Sequence, residues 1–185
     1  MTNALLRGKD LMGQPVVDLS TGDDIAEIRD VIFDPTSGTI SGFTLSRRGF
    51  FTRRMKQLLP VAEVHSVGTD AVMVVDASAL TLPEDAPAEV AEAKREGDVM
   101  DDMVITVSGR QLGAVRDVIV VGGAHPRVVG FEIAGGSVGD GLIPIGVHNG
   151  VSGSALIVPD QYEARVRTDL TGLAAELADI EGSRS

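Results

Sequence analysis

The residues best suited to chemistry in this chain lie between Ser46 and Lys56. Ser46-Arg47-Arg48-Gly49-Phe50-Phe51-Thr52-Arg53-Arg54-Met55-Lys56 holds five positive charges, and no acid occurs from Pro35 to Ala62. The net charge is −11, so everything outside this segment carries −16. Phe50 and Phe51 are two of only five Phe, and they stand between two Arg pairs. Cations beside aromatics can anchor a protein interface, where Arg and aromatic side chains supply much of the binding energy. They can also bind RNA through phosphate contacts and ring stacking, although five charges on an acidic body are few. A third use is contact with an anionic membrane surface, the Phe inserted and the Arg on the headgroups. The bland alternative is that one Phe plugs a domain end while the Arg are solvated or pair with the molecule's own acids.

Enzyme signatures are missing. His65, His125 and His148 fall in expected turns or loops and lack the spacing of a zinc site. Asp23-Asp24 and Asp101-Asp102 lack the alternating oxygen ligands of a calcium loop. The Gly pairs at 122–123 and 135–136 follow strands but open no helix, so they make no phosphate cradle. Gly150-Val151-Ser152-Gly153 has the wrong spacing for a nucleophile elbow. With no Cys there is no disulfide, thiolate ligand or Cys nucleophile. The expectation is a protein with no catalytic residues, no metal and no cofactor.

The basic segment must be held by something, and an internal repeat says what. Ile28-Arg29-Asp30-Val31-Ile32 returns as Val115-Arg116-Asp117-Val118-Ile119, a spacing of 87 residues. Gly42-Phe43-Thr44-Leu45 matches Gly130-Phe131-Glu132-Ile133, and Leu59-Pro60-Val61 matches Ile143-Pro144-Ile145. Ala71 to Val74 matches Ala155 to Val158. Two copies of one small β domain follow, rather than a solenoid. We assign 1–82 to the first copy, 83–98 to a charged linker, 99–158 to the second and 159–185 to a C-terminal amphipathic helix and tail. Aromatics are 3% of the chain, so both cores must be aliphatic.

Within the first copy, residues 1–13 form a lead-in whose Leu5, Leu6, Leu11 and Met12 cover an open end. Val16-Val17 begins a strand, and Ile25 to Phe33 forms a second with a bulge, because neither of its faces is cleanly apolar. Asp34-Pro35-Thr36-Ser37-Gly38 is a hairpin turn, followed by a strand from Thr39 to Leu45. Gln57 to Val61 and Ala71 to Asp76 complete the copy, joined by a turn around Ala62-Glu63-Val64. Pro87 and Gly97 bracket a helix from Ala88 to Arg95. From Pro159 the pattern is helical, with Val166, Leu170, Leu173, Leu177 and Ile180 on one stripe. That stripe packs on a barrel or, by its coiled-coil spacing, pairs with a second copy in a homodimer. The Arg29-Asp30 and Arg116-Asp117 pairs project to opposite strand faces, so neither pair bridges within itself; both are assigned to structure.

The order Gly13-Gln14-Pro15-Val16-Val17-Asp18, Ile25 to Pro35, Gly42-Phe43 and Leu59-Pro60-Val61 resembles the PRC-barrel family. Leu112 to Val118, Gly130-Phe131 and Ile143-Pro144-Ile145 repeat it. The resemblance implies an all-β fold of two tandem small barrels with a short linker helix and a C-terminal helix. It also implies docking onto a larger assembly rather than catalysis. The first barrel would then present Arg47, Arg48, Phe50, Phe51, Arg53, Arg54 and Lys56 to a partner protein. An RNA- or ribosome-associated assembly factor is the alternative. The corresponding loop of the second copy, Ala134 to Gly141, has no basic and no aromatic residue. No apolar run is long enough to span a bilayer and no signal-peptide core is seen at the start, so a cytoplasmic location is expected.

Overall fold

The computed structural model describes residues 4–48, 53–90, 99–145, 150–152 and 155–182. The chain is mostly β. Its strands are β1 (Leu5–Arg7), β2 (Pro15–Asp18), β3 (Asp24–Phe33), β4 (Ile40–Ser46), β5 (Arg54–Pro60), β6 (Val64–Val67) and β7 (Val72–Val74). They continue as β8 (Met103–Thr106), β9 (Gln111–Val121), β10 (Arg127–Gly135), β11 (Gly141–Pro144), β12 (Gly150–Ser152) and β13 (Ala155–Val158). Two helices carry labels, α1 (Gly8–Leu11) and α2 (Leu170–Gly182).

One sheet runs β5-β4-β3-β2-β7-β6 and the other β11-β10-β9-β8-β13-β12, with β1 added on β9. Raising every strand number in the first sheet by six gives the second, so the sequence repeat is a repeat of topology. In each sheet the first and last strands of the copy lie parallel, Val16 opposite Val72 and Val104 opposite Leu156. The pairs β2–β3, β3–β4, β4–β5, β6–β7, β8–β9, β10–β11 and β12–β13 are antiparallel. Among the described residues neither sheet path closes on itself.

The repeated residues have repeated jobs. Phe43 and Phe131 are both fully buried, the two largest side chains with no exposure, among Leu, Ile and Val. The Gly before each Phe is dictated by backbone approach. A Cβ on Gly42 would stand 2.6 Å from the Leu59 carbonyl oxygen, and one on Gly130 would stand 2.6 Å from that of Ile143. The bulge expected in β3 is present: Ile28 faces Leu45 and Asp30 faces Thr44, leaving Arg29 extra. The Asp30 carboxylate accepts the Val31 N–H at 2.8 Å, and Asp117 accepts that of Val118 at 2.8 Å. The Asp of Arg-Asp-Val-Ile therefore satisfies a backbone donor in both copies, in β3 beside the bulge. Arg116 reaches Asp101 instead.

The match holds at the head of the second copy as well. Gly13 and Asp101 both have positive φ, 83° and 67°. Their N–H groups donate to Ile28 at 2.8 Å and Val115 at 2.9 Å. Asp tolerates this left-handed conformation better than most side chains, which explains how it can replace Gly.

Where β2 ends, the Asp18 carboxylate accepts from the Ser20 hydroxyl at 2.6 Å and from the N–H groups of Ser20 and Thr21 at 2.7 and 3.2 Å. The Ser20 hydroxyl is the largest influence holding the Asp18 pKa below its ordinary 3.8; burial opposes it. Asp76 is lowered in the same way, first by the Ser78 hydroxyl. A carboxyl with a depressed folded pKa gives stability that is present above its unfolded value and lost as pH falls through the folded one. Asp18→Asn should therefore melt below the parent at neutral pH, and the gap should close below the ordinary value of 3.8. A gap independent of pH in thermal melts would reject this role.

Several sequence expectations need correction. The lead-in contains β1 and α1; Leu6 and Leu11 are buried as expected, but Met12 is 51% exposed. The turn around Ala62 to Val64 is a 3-10 turn (Val61–Glu63) leading into an additional strand, β6, which also holds His65. Its Val64-His65-Ser66-Val67 pattern is too short to separate from a turn by alternation. The linker helix begins at Ala88 as expected, with the Val90 N–H on the Pro87 carbonyl at 3.0 Å. Its continuation past Val90 lies outside the described residues. The C-terminal helix does not start at Pro159. Asp160–Arg165 is 3-10, and Arg167 then pairs with Leu142 in both directions at 2.7 and 2.8 Å, which stops helical propagation.

By contact, the described chain divides into two compact units that do not follow chain order. Unit 1 is Met1–Asp34, Thr39–Asp98 and Val120–Arg127; unit 2 is Pro35–Gly38, Val99–Ile119 and Val128–Ser185. The β9–β10 turn thus belongs to unit 1 and the β3–β4 turn to unit 2. Within unit 1, Val67 and Gly123 exchange backbone hydrogen bonds at 3.0 and 2.8 Å, and the Gly122 N–H donates to the Ala4 carbonyl at 3.0 Å. Within unit 2, the Val128 N–H donates to the Gly38 carbonyl at 2.8 Å.

Candidate functional site

The basic segment is the β4–β5 hairpin of unit 1. The Arg47 N–H donates to the Arg53 carbonyl at 2.9 Å, and Ser46 faces Arg54, so the loop base is a closed ladder. Arg47, Arg48, Arg53, Arg54 and Lys56 are all exposed. Phe50 and Phe51 lie outside the described residues. Arg48 pairs with Asp24 at the start of β3, so for this residue the own-acid reading holds. Among the described residues, Arg47, Arg53, Arg54 and Lys56 make no side-chain ion pair. Four cations are thus brought to one hairpin without internal neutralisation.

Arg54, Met55 and Lys56 also border an open groove of about 390 Å³, faced by Leu82, Pro83 and Glu84. Sequence reasoning missed this second wall, because residues 82–84 lie far along the chain and carry no motif. Their approach follows from the Leu58–Thr81 bridge.

The equivalent loop of unit 2 is built differently. Gly135 and Gly139 have φ of 77° and 75°. A Cβ on Gly136 would collide with the Leu112 carbonyl group. The Ser137 N–H and hydroxyl both donate to the Gln111 carbonyl, at 3.2 and 2.9 Å. This loop is a compact turn laid on its own sheet, and its glycines are there for that fit.

The C-terminal stripe is divided. Val166 precedes α2 rather than lying on it, so the five residues do not form one helical stripe. Leu173 is fully buried, its Cδ2 3.1 Å from where a Cβ on Gly130 would stand. Leu170, Leu177 and Ile180 are half-buried. Glu176 is 9% exposed and is held by Arg165 and Arg167. The helix is thereby fastened within unit 2 at its middle.

Among the described residues no group of three or more His, Cys, Asp or Glu is placed to hold a metal ion. No helix there is long and apolar enough to cross a membrane. His125 lies in a bend, and His148 lies outside the described residues.

The strand order and the recurring Gly-Phe positions define a mostly β protein of two sheets with one topology. The PRC-barrel domain family model matches residues 5–80, so the chain carries a PRC-barrel domain there. No curated protein matches the sequence.

Proposed function

We propose that this chain is a non-catalytic cytoplasmic adaptor that docks onto a larger protein assembly through the β4–β5 hairpin of its PRC-barrel domain. The observation that carries this is the contrast between two loops at the same place in two sheets of one topology. One is a turn of glycines bound to its own sheet, and the other projects exposed cations. Nothing in the barrel framework requires Arg47, Arg53, Arg54 or Lys56, whereas an interface of Arg and aromatic anchors does. Phe50 and Phe51 belong to the proposed surface by sequence. The second copy, from Val99, is proposed as a further PRC-like barrel on its strand order. Self-association through the exposed parts of Leu170, Leu177 and Ile180 is a secondary proposal.

The test is affinity capture from lysate, with and without nuclease, using the parent beside a variant with Arg47, Arg48, Arg53 and Arg54 all changed to Glu. Capture should vanish in the variant and survive nuclease. The variant's fold should be kept, because exposed substitutions typically shift stability by only about 0.5 kcal/mol each. An unchanged set of captured proteins would sink the proposal. Loss on nuclease treatment would put the RNA- or ribosome-associated reading in its place.

A further inference from the structure

We infer that the outer edge of β5 accepts an extended acidic peptide of the partner as an added antiparallel strand, with Arg54 and Lys56 reading its carboxylates. The inference rests on the docking reading above and gives the docked segment a chemistry.

β5 is the end strand of its sheet. At Leu58 its backbone already faces outward and is paired: the Leu58 N–H donates to the Thr81 carbonyl at 2.8 Å, and the Thr81 N–H donates to the Leu58 carbonyl at 2.9 Å. This antiparallel contact is a single bridge. The segment then leaves the edge through Leu82 and Pro83, and Pro has no N–H with which to continue a ladder. A ladder is started and stopped, and the groove of about 390 Å³ is the space between the edge and the departing segment.

The remaining edge has backbone groups to offer. Thr44 faces Leu58 and Ser46 faces Arg54, so β4 sets one residue, Leu45, against Met55, Lys56 and Gln57. β4 cannot pair all three, and the surplus N–H and C=O groups turn elsewhere for partners. Exposure alternates along the same stretch: Arg54 exposed, Met55 half-buried, Lys56 exposed, Gln57 half-buried. Residues opposite one another across a ladder project to the same face, so the alternation selects acids at every second peptide position. Leu82, 40% exposed, gives the intervening side chains an apolar contact. Strand addition draws affinity from the main chain and specificity from alternate side chains. Glu84 is the one groove residue of opposing sign, and it limits affinity for an acidic strand.

The probe is a fluorescent peptide of about ten residues alternating Glu and Thr, titrated against the full chain at fixed salt, a length that covers the open edge. Lys56→Glu should weaken binding about tenfold, and Glu84→Gln should strengthen it about twofold, by ordinary charge complementarity. The same peptide N-methylated at alternate residues keeps its charge but loses ladder donors, and should bind about tenfold more weakly. Equal binding of the methylated and parent peptides would overturn strand addition, as would indifference to Lys56→Glu. Absence of peptide binding, while lysate capture still depends on the four Arg, would overturn this inference and leave the docking reading standing. Capture indifferent to the four Arg is the separate failure of that reading.

Discussion

Gly42→Ala should destabilise the protein by about 2–3 kcal/mol, the scale of forced overpacking against atoms that cannot move aside. Gly130→Ala should do the same. In each case the new methyl would stand 2.6 Å from a backbone carbonyl oxygen of the neighbouring strand. Relief requires moving β5 or β11, and both strands contribute fully buried side chains, Leu59 and Ile143. At a few degrees per kcal/mol for a chain of this size, the melting temperature should fall by about 5–10 °C. Gly182→Ala is the control, because nothing lies within 4 Å of its Cβ position. A Gly42→Ala melt within a degree or so of the control would show that the strands yield, contrary to close packing.

The second large effect concerns the divided units. A fragment ending at Asp98 retains the matched PRC-barrel segment, residues 5–80, but lacks Val120–Arg127 of unit 1. It loses the paired bonds between Val67 and Gly123, the bond from Gly122 to Ala4, and the bridge between Thr39 and Arg127. Leu6 stands 3.6 Å from the Cβ position of Gly122 and loses that cover. Hydrogen exchange provides a local readout. The Val67 amide should exchange on the order of a hundredfold faster in the fragment than in the full chain, since its protection comes from a partner the fragment lacks. Equal protection at Val67 in both proteins would mean that residues 1–98 are complete without the missing turn.

The repeat was legible in the sequence because Gly42, Phe43, Leu59 and Pro60 recur for a local physical reason, a close strand approach over a buried ring. The bulge near Arg29 was legible from a strand with no clean apolar face. β6 was not, because four residues with one buried Val at each end resemble a turn as much as an edge strand. The break before α2 was hidden because Val166 fits a helical stripe equally well when Arg167 is extended. At the candidate site, the cations could be read directly, but the Arg48–Asp24 pair and the groove wall at Leu82 to Glu84 depend on tertiary approach. The exchange of turns between the units left no trace, since a repeat points to domains cut in chain order.

That exchange sets a schedule for the protein's own synthesis. At about 5–20 residues per second, roughly 2–6 s separate the addition of residue 98 from that of residue 127. Through most of that interval the Val67 edge and the Leu6 side chain have been made, while Gly122 and Gly123 have not. The nascent chain therefore carries an open strand edge for seconds before its first unit can close. Any factor that shields emerging β segments would have its greatest effect in this window, and slowing translation across residues 99–127 would lengthen it.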